Sequence, residues 1–384
     1  MNANRQGLRA PRRQGLPASK FCRLARLHPT YNEPMVEPTQ DRSSAQAQAQ
    51  AQGRTQASGR LRTGLLIGGS LITALIIAYA AGPRVRPPAL TSGLRGGLPA
   101  PEVPASLSEL DGWLARSEAN VPALRPELAK GIAWATPLRE RTPLSLVYLH
   151  GFSASRRESS PLCEDLGRKL GANVFFARLH GHAQDGDALG QVRAEDWYTD
   201  ALEALAIGER IGEKVVLIGS STGGTLATWL AARTPGVHAL ILLSPNFGLK
   251  AAGTGLLLRP WGLQLARRVI GTHRTWRPTT MLEGRYWTNS YRVEAVLQMM
   301  TTVDVLDHVD LSAVTTPTQI FYTETDALLD IGRIRTRFAE LGSPQKQLIA
   351  VPGANHVLVG SVLGGAHTAA VAKQILDFLK SLQK

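Results

Sequence analysis

Ser221 lies in Gly219-Ser220-Ser221-Thr222-Gly223, a G-x-S-x-G pentapeptide with an apolar run before it and a helix-forming run after it. A serine hydroxyl is a weak nucleophile at neutral pH. It attacks a carbonyl carbon only with a histidine in hydrogen-bond reach, itself oriented by a carboxylate. Lys214-Val215-Val216-Leu217-Ile218 has the pattern of a strand buried on both faces, and Thr222 to Arg233 reads as a helix ending before Pro235-Gly236. A sharp strand-to-helix turn strains the backbone at Ser221. Small residues two positions either side let it pass close to its neighbours. The turn lifts the hydroxyl above the sheet, and the helix N-terminus offers N–H donors to an anion forming there.

In this strand-turn-helix arrangement the acid and then the histidine follow the serine along the chain. Both should lie just past strand ends. Thr318 to Tyr322 reads as a strand followed by Thr323-Glu324-Thr325-Asp326, and Leu348 to Val351 as a strand followed by Pro352-Gly353-Ala354-Asn355-His356. Asp326 is thus the expected acid and His356 the expected base. Glu324 is a rival for the acid, and Asp330 fits a cap of the next helix. The strand at Leu144 to Leu149 leads into His150-Gly151-Phe152-Ser153. The glycine lets the next N–H turn inward, so the backbone N–H groups of Phe152 and Thr222 are the expected oxyanion hole. His150 is expected to support that loop.

Two other groupings carry less. His180-x-His182 with Asp185 and Asp187 has metal-ligand residue types, but no further His/Cys cluster in the sequence supports it. A loop held by its own hydrogen bonds is expected there, with no metal and no cofactor. The glycines around Ser221 lack the lysine of a phosphate-binding loop.

The elements that must position these residues alternate regularly. Strands are expected at 131–135, 144–149, 173–179, 214–218, 238–244, 317–323 and 347–351, and helices at 158–170, 194–211, 222–233, 331–341 and 367–382, after an earlier one near 107–120. Such alternation predicts an α/β fold, a mostly parallel sheet with helices on both faces. The stretch from about 247 to 312 breaks the rhythm. It carries Trp261, Trp276, Tyr286, Trp287 and Tyr291 among many arginines and is expected to form a small helical cap.

Of the 384 residues, the first 62 hold eleven Lys/Arg against three Asp/Glu, much of the net charge of +13. They include an Ala-Gln repeat at 45–52 and read as a disordered basic tail, with Met35 an alternative start. The folded part is only mildly basic and has no stripe of Lys/Arg with interleaved aromatics, which argues against a nucleic-acid partner. Cys22 and Cys163 make no disulfide framework. Residues 63–82 carry no charge and are long enough, at ~30 Å as a helix, to cross a bilayer. A single-pass signal-anchor is expected, with residues 83–104 as a linker and residues 105–384 as the catalytic domain outside the cytoplasmic membrane. The competing reading is a signal peptide cleaved after Ala78-Tyr79-Ala80, giving a secreted chain.

Leu149-His150-Gly151-Phe152, the pentapeptide around Ser221, Asp326 and His356 together resemble the α/β-hydrolase superfamily. Leu179-His180-Gly181-His182 and Glu195-Asp196-Trp197 are similar to the bacterial carboxylesterase and monoacylglycerol lipase group, which usually reads L-x-G-H-G before a D-W pair; Ala183 stands where its last glycine would fall. The resemblance covers residues 131–384 and implies a serine hydrolase that cleaves carboxylic esters, with a small cap after the strand ending near Leu243. The substrate would be a small-molecule or lipid ester. The same residues would equally serve an acyltransferase, and the scaffold a non-catalytic binding protein.

Overall fold

The computed structural model describes residues 42–90, 93 and 95–382. The chain divides into two units, one ending at Ile72 and the other starting at Thr73. Every described residue of the first unit is helical and belongs to α1 (Arg42–Ala80). This corrects the expectation of a structureless tail over residues 42–62. Alanine is the best helix former and glutamine ranks close behind, so the Ala-Gln repeat propagates a helix where its low complexity suggested none. The rest of the expected tail, with Cys22 and Met35, lies outside the described residues. Over Gln46–Ala80, α1 is long and apolar enough to cross a membrane, a property that a signal sequence shares. Its Leu65, Leu71 and Ile76 side chains are exposed.

The second unit contains the sheet. Helix α2 (Leu107–Ala119) buries Leu110 and Leu114, and its Glu118 accepts from Arg178 Nε and Nη2 at 2.7 and 2.8 Å in a buried pair. There follow β1 (Gly131–Ala133), β2 (Thr142–Leu149), α3 (Leu162–Leu170), β3 (Asn173–Phe176), α4 (Gly186–Gln191) and α5 (Ala194–Ile211). Next come β4 (Gly212–Ser220), α6 (Thr222–Arg233) and β5 (Ala239–Leu243). An insertion then carries α7 (Gly262–Ile270), β6 (His273–Thr275), α8 (Met281–Tyr286), β7 (Ser290–Arg292) and α9 (Val293–Asp307). The chain ends with β8 (Thr318–Tyr322), α10 (Ile331–Glu340), β9 (Lys346–Ala350) and α11 (Gly365–Ser381).

Seven strands form one sheet in the order β1-β3-β2-β4-β5-β8-β9. Only β1 runs antiparallel to its neighbour. Side chains alternate between two cores. Val147, Leu149, Leu217 and Leu240 pack on the face that holds Trp197 and Leu205 of α5 and Leu226 and Trp229 of α6. Leu146, Tyr148, Val216, Ile218 and Ile241 pack on the other, with Leu166 of α3 and Ile375 and Leu379 of α11. Burial of both faces explains why these strands read as continuous apolar runs. Because the strands are parallel, the loops after β2, β4, β8 and β9 leave from one edge.

The insertion is more than the small helical cap expected. It also holds the antiparallel pair β6–β7, in register from His273↔Arg292 to Thr275↔Ser290. Strands of three residues are too short for an alternating pattern to reveal them.

Candidate active site

β4 delivers Ser221 at the centre of the sheet, between β2 and β5. Ser221 has φ +49 and ψ −115, and α6 begins at the next residue. A non-glycine residue there carries strain of about 1–3 kcal/mol, which the surroundings must over-determine. They do so through the backbone. Ser221 N–H donates to Leu243 O at 2.9 Å, and Ser221 O accepts from Gly224 N–H and Asn246 N–H, each at 2.9 Å. Gly219 and Gly223 are required by contact: a Cβ on Gly219 would fall 2.5 Å from Gly223 O, and one on Gly223 would fall 2.0 Å from Leu149 O.

The loop after β9 brings His356 to the serine, with Nε2 3.1 Å from Ser221 Oγ. The loop after β8 brings Asp326, whose Oδ2 lies 2.8 Å from His356 Nδ1. Asp326 Oδ1 accepts from the N–H groups of Leu328 (2.8 Å) and Leu329 (3.0 Å). Burial disfavours the charge on Asp326. The His356 hydrogen bond and charge and the two backbone donors outweigh it and hold the carboxyl below its ordinary range. With the carboxylate accepting at Nδ1–H, Nε2 is left as the acceptor facing Ser221. The rivals go elsewhere. Glu324 accepts from Tyr322 Oη (2.6 Å) and Arg335 (2.5 Å), and Asp330 accepts from Arg333 N–H (3.2 Å) at the start of α10.

The loop after β2 runs beside the serine, since a Cβ on Gly151 would lie 3.2 Å from Ser221 Cβ. Two buried histidines brace it. His182 Nε2 accepts Ser153 N–H at 3.0 Å, and His150 Nε2 accepts Leu179 N–H at 3.1 Å. Each keeps its proton on Nδ1, directed at Leu179 O and His180 O for His182 and at Gly151 O for His150. Burial favours the neutral ring, taking His150 down to about 4 and His182 well below its ordinary value. Among the described residues, the N–H groups of Phe152 and Thr222 have no acceptor. The Phe152 ring stands edge-on to Tyr291 of β7 (5.1 Å), Trp197 (6.0 Å) and His182 (6.1 Å). Trp197 Nε1–H in turn donates to His180 O at 2.9 Å, tying the D-W pair to the loop after β3 that carries His182.

The residues with metal-ligand character are engaged separately. His180 Nδ1 meets Asp200 Oδ1 at 2.6 Å, Asp185 accepts Ala188 N–H at the start of α4, and Asp187 pairs with His273 and Arg292. Reading the sequence missed Glu158, a buried carboxyl that accepts from Gly151 N–H and Tyr148 Oη. It also missed the brace from His182 to Ser153.

The fold is shared with known proteins. The chain is 22% identical over 218 residues to a thermostable monoacylglycerol lipase of Bacillus sp. (strain H-257), an alignment spanning 57% of this chain and 84% of the relative. It is similar in fold to a solved structure of the metagenome-derived lipolytic enzymes LipS and LipT, with TM-score 0.57, 18% identity, and 67% of this chain and 99% of that one covered. A soluble variant of monoglyceride lipase from Saccharomyces cerevisiae gives TM-score 0.50 at 13% identity, over 66% of this chain and 91% of that one. Residues 142–361 match the family model Hydrolase_4, described as serine aminopeptidase, S33. With more than half of its length in that match, the chain belongs to the Hydrolase_4 family of the α/β-hydrolase superfamily.

Proposed function

We propose that the protein cleaves carboxylic esters through an acyl-enzyme, with Ser221 as nucleophile. The observation that carries this is the run of hydrogen bonds from Ser221 Oγ through His356 to Asp326, built on a strained serine backbone. His356 Nε2 takes the hydroxyl proton as Oγ attacks the ester carbonyl, and Asp326 stabilises the imidazolium that forms. The N–H groups of Phe152 and Thr222 receive the developing oxyanion. Collapse expels the alcohol, protonated by His356. Water, activated by the same imidazole, then releases the acid.

An ester of lipid character fits best. The half-buried Phe152 ring beside the site packs on the buried rings of Trp197 and Tyr291, the insertion exposes Leu265, Val269 and Met281, and a relative aligned over 84% of its length is a monoacylglycerol lipase. The description of the family points instead to an amino-acid amide. Hydrolysis of medium-chain p-nitrophenyl esters, beside amino-acid p-nitroanilides, decides between them. Ester turnover and fluorophosphonate labelling are expected to vanish in Ser221→Ala. Asp326→Asn is expected to lower kcat by about 10³ to 10⁴, because an amide cannot hold the needed tautomer. Turnover that survives Ser221→Ala would overturn the proposal, as would a preference for the anilides.

A further inference from the structure

Glu158 is a carboxyl with almost no solvent contact, placed one backbone thickness from Ser221. A Cβ on Gly151 would lie 2.9 Å from Glu158 Oε1 on one side and 3.2 Å from Ser221 Cβ on the other. Glu158 Oε2 accepts Gly151 N–H at 2.8 Å and the Tyr148 hydroxyl at 2.9 Å. The same segment is tied to the loop that carries His356. Gly360 sits so close to Glu158 O that a Cβ there would fall 2.1 Å away, and Ser361 N–H donates to Ser160 O at 2.8 Å. A buried carboxylate is costly unless its oxygens are occupied, so this one is held by what it organises.

We infer that Glu158 is a positioning residue of the proposed ester-cleaving site. It anchors the loop that presents Phe152 N–H and adds a second negative charge, besides Asp326, near His356. The anchoring follows from sequence of bonds: Gly151 N–H is fixed by Glu158, and the next peptide carries the N–H of Phe152. The charge acts on the step in which His356 becomes cationic. The groups facing the carboxyl are Tyr148 from β2, Ser220 at the end of β4 and His356 from the loop after β9. Cys163 of α3 lies beyond Tyr148, and Arg156 and Arg157 share the segment of Glu158. Burial pushes the Glu158 carboxyl up, against the opposing pull of Gly151 N–H, Tyr148 and His356.

The inference rests on the reading of Ser221 as nucleophile, and one set of pH profiles separates the two. For the full chain with a p-nitrophenyl ester, kcat/KM is measured against pH in the wild type, Glu158→Gln, Glu158→Ala and Ser221→Ala, with a thermal melt of each. Glu158→Gln keeps an acceptor for Gly151 N–H and removes the charge. Its acidic limb is expected to move down by about half a unit or more, since an imidazolium loses a nearby counter-charge. Glu158→Ala also frees the loop and is expected to lose about 10- to 100-fold in kcat with KM nearly unchanged, of which Glu158→Gln recovers most. An unshifted limb in folded Glu158→Gln, or equal activity in both variants, would overturn the role of Glu158 alone. Ester turnover equal in Ser221→Ala would overturn both readings.

Discussion

Gly223 shows how narrow the tolerance is around Ser221. Its Cα faces the end of β2 so closely that a methyl group would sit 2.0 Å from Leu149 O and 2.7 Å from His150 O. Those are backbone atoms and cannot rotate away. Gly223→Ala must therefore push α6 off the sheet or displace the loop that carries Phe152. It is expected to cost roughly 2–3 kcal/mol in a denaturant melt, with ester turnover lost even where the fold survives; a stable, fully active variant would show the contact to be relaxed in solution. Around this turn, Ser221, Asp326 and His356 were legible because each follows a strand, in the required order. Glu158 was not. It stands between Arg156, Arg157, Ser159 and Ser160, residue types that read as a solvated loop, and it is buried by contacts with Gly151 and Tyr148 that only the folded chain makes.

At the scale of elements, α5 and α6 occupy the residues expected, because an apolar periodicity and a following breaker bound each of them. The seven strands fall within a few residues of their expected places, as runs buried on both faces announce themselves. The insertion was harder, since β6, β7 and α8 have three to six residues each and little core to pattern them. Helix α1 carries a signal of another kind, a length of uncharged residues that needs no packing partner in water if lipid surrounds it. Its last turn and the chain just past it are tied down: Trp261 Nε1–H donates to Ala78 O at 3.2 Å and Trp261 N–H to Pro83 O at 2.8 Å. The indole thereby satisfies one of the carbonyls that a helix end leaves free. A tryptophan beside the end of an apolar helix also suits the edge of a bilayer. We propose that α1 is an uncleaved anchor. The full-length chain is then expected in the membrane pellet after a carbonate wash and in the supernatant after detergent; a soluble chain shortened to a start just past Ala80 would make the segment a leader instead.

For the molecule as a whole, the buried histidines couple the site to stability. His150 and His182 lie within the loops after β2 and β3, and each accepts a backbone N–H at Nε2, so protonation would set an N–H against an N–H. Burial holds His150 at about 4 in the folded state, against an ordinary value of 6.5. Below pH 6.5 the unfolded chain takes up a proton that the folded chain refuses until about pH 4. Stability is thus full above pH 6.5 and drains away between these two values, by about 3 kcal/mol from His150 alone, with His182 acting in the same direction. Glu158 opposes this in part, because a carboxyl raised by burial takes up its proton earlier in the folded state than in the unfolded one. Asp326, held below its ordinary value, contributes stability that is lost only at more acid pH. Urea unfolding of Ser221→Ala, which lacks the proposed nucleophile, is expected to show a midpoint that is steady from pH 8 to 7 and falls from pH 6.5 to 5. A midpoint that stays flat across that range in Glu158→Gln as well, where the opposing carboxyl is gone, would mean that neither ring is held neutral. Because the same bonds hold the loop of Phe152, the proposed ester turnover of the wild type should decline irreversibly no earlier than this loss of stability begins.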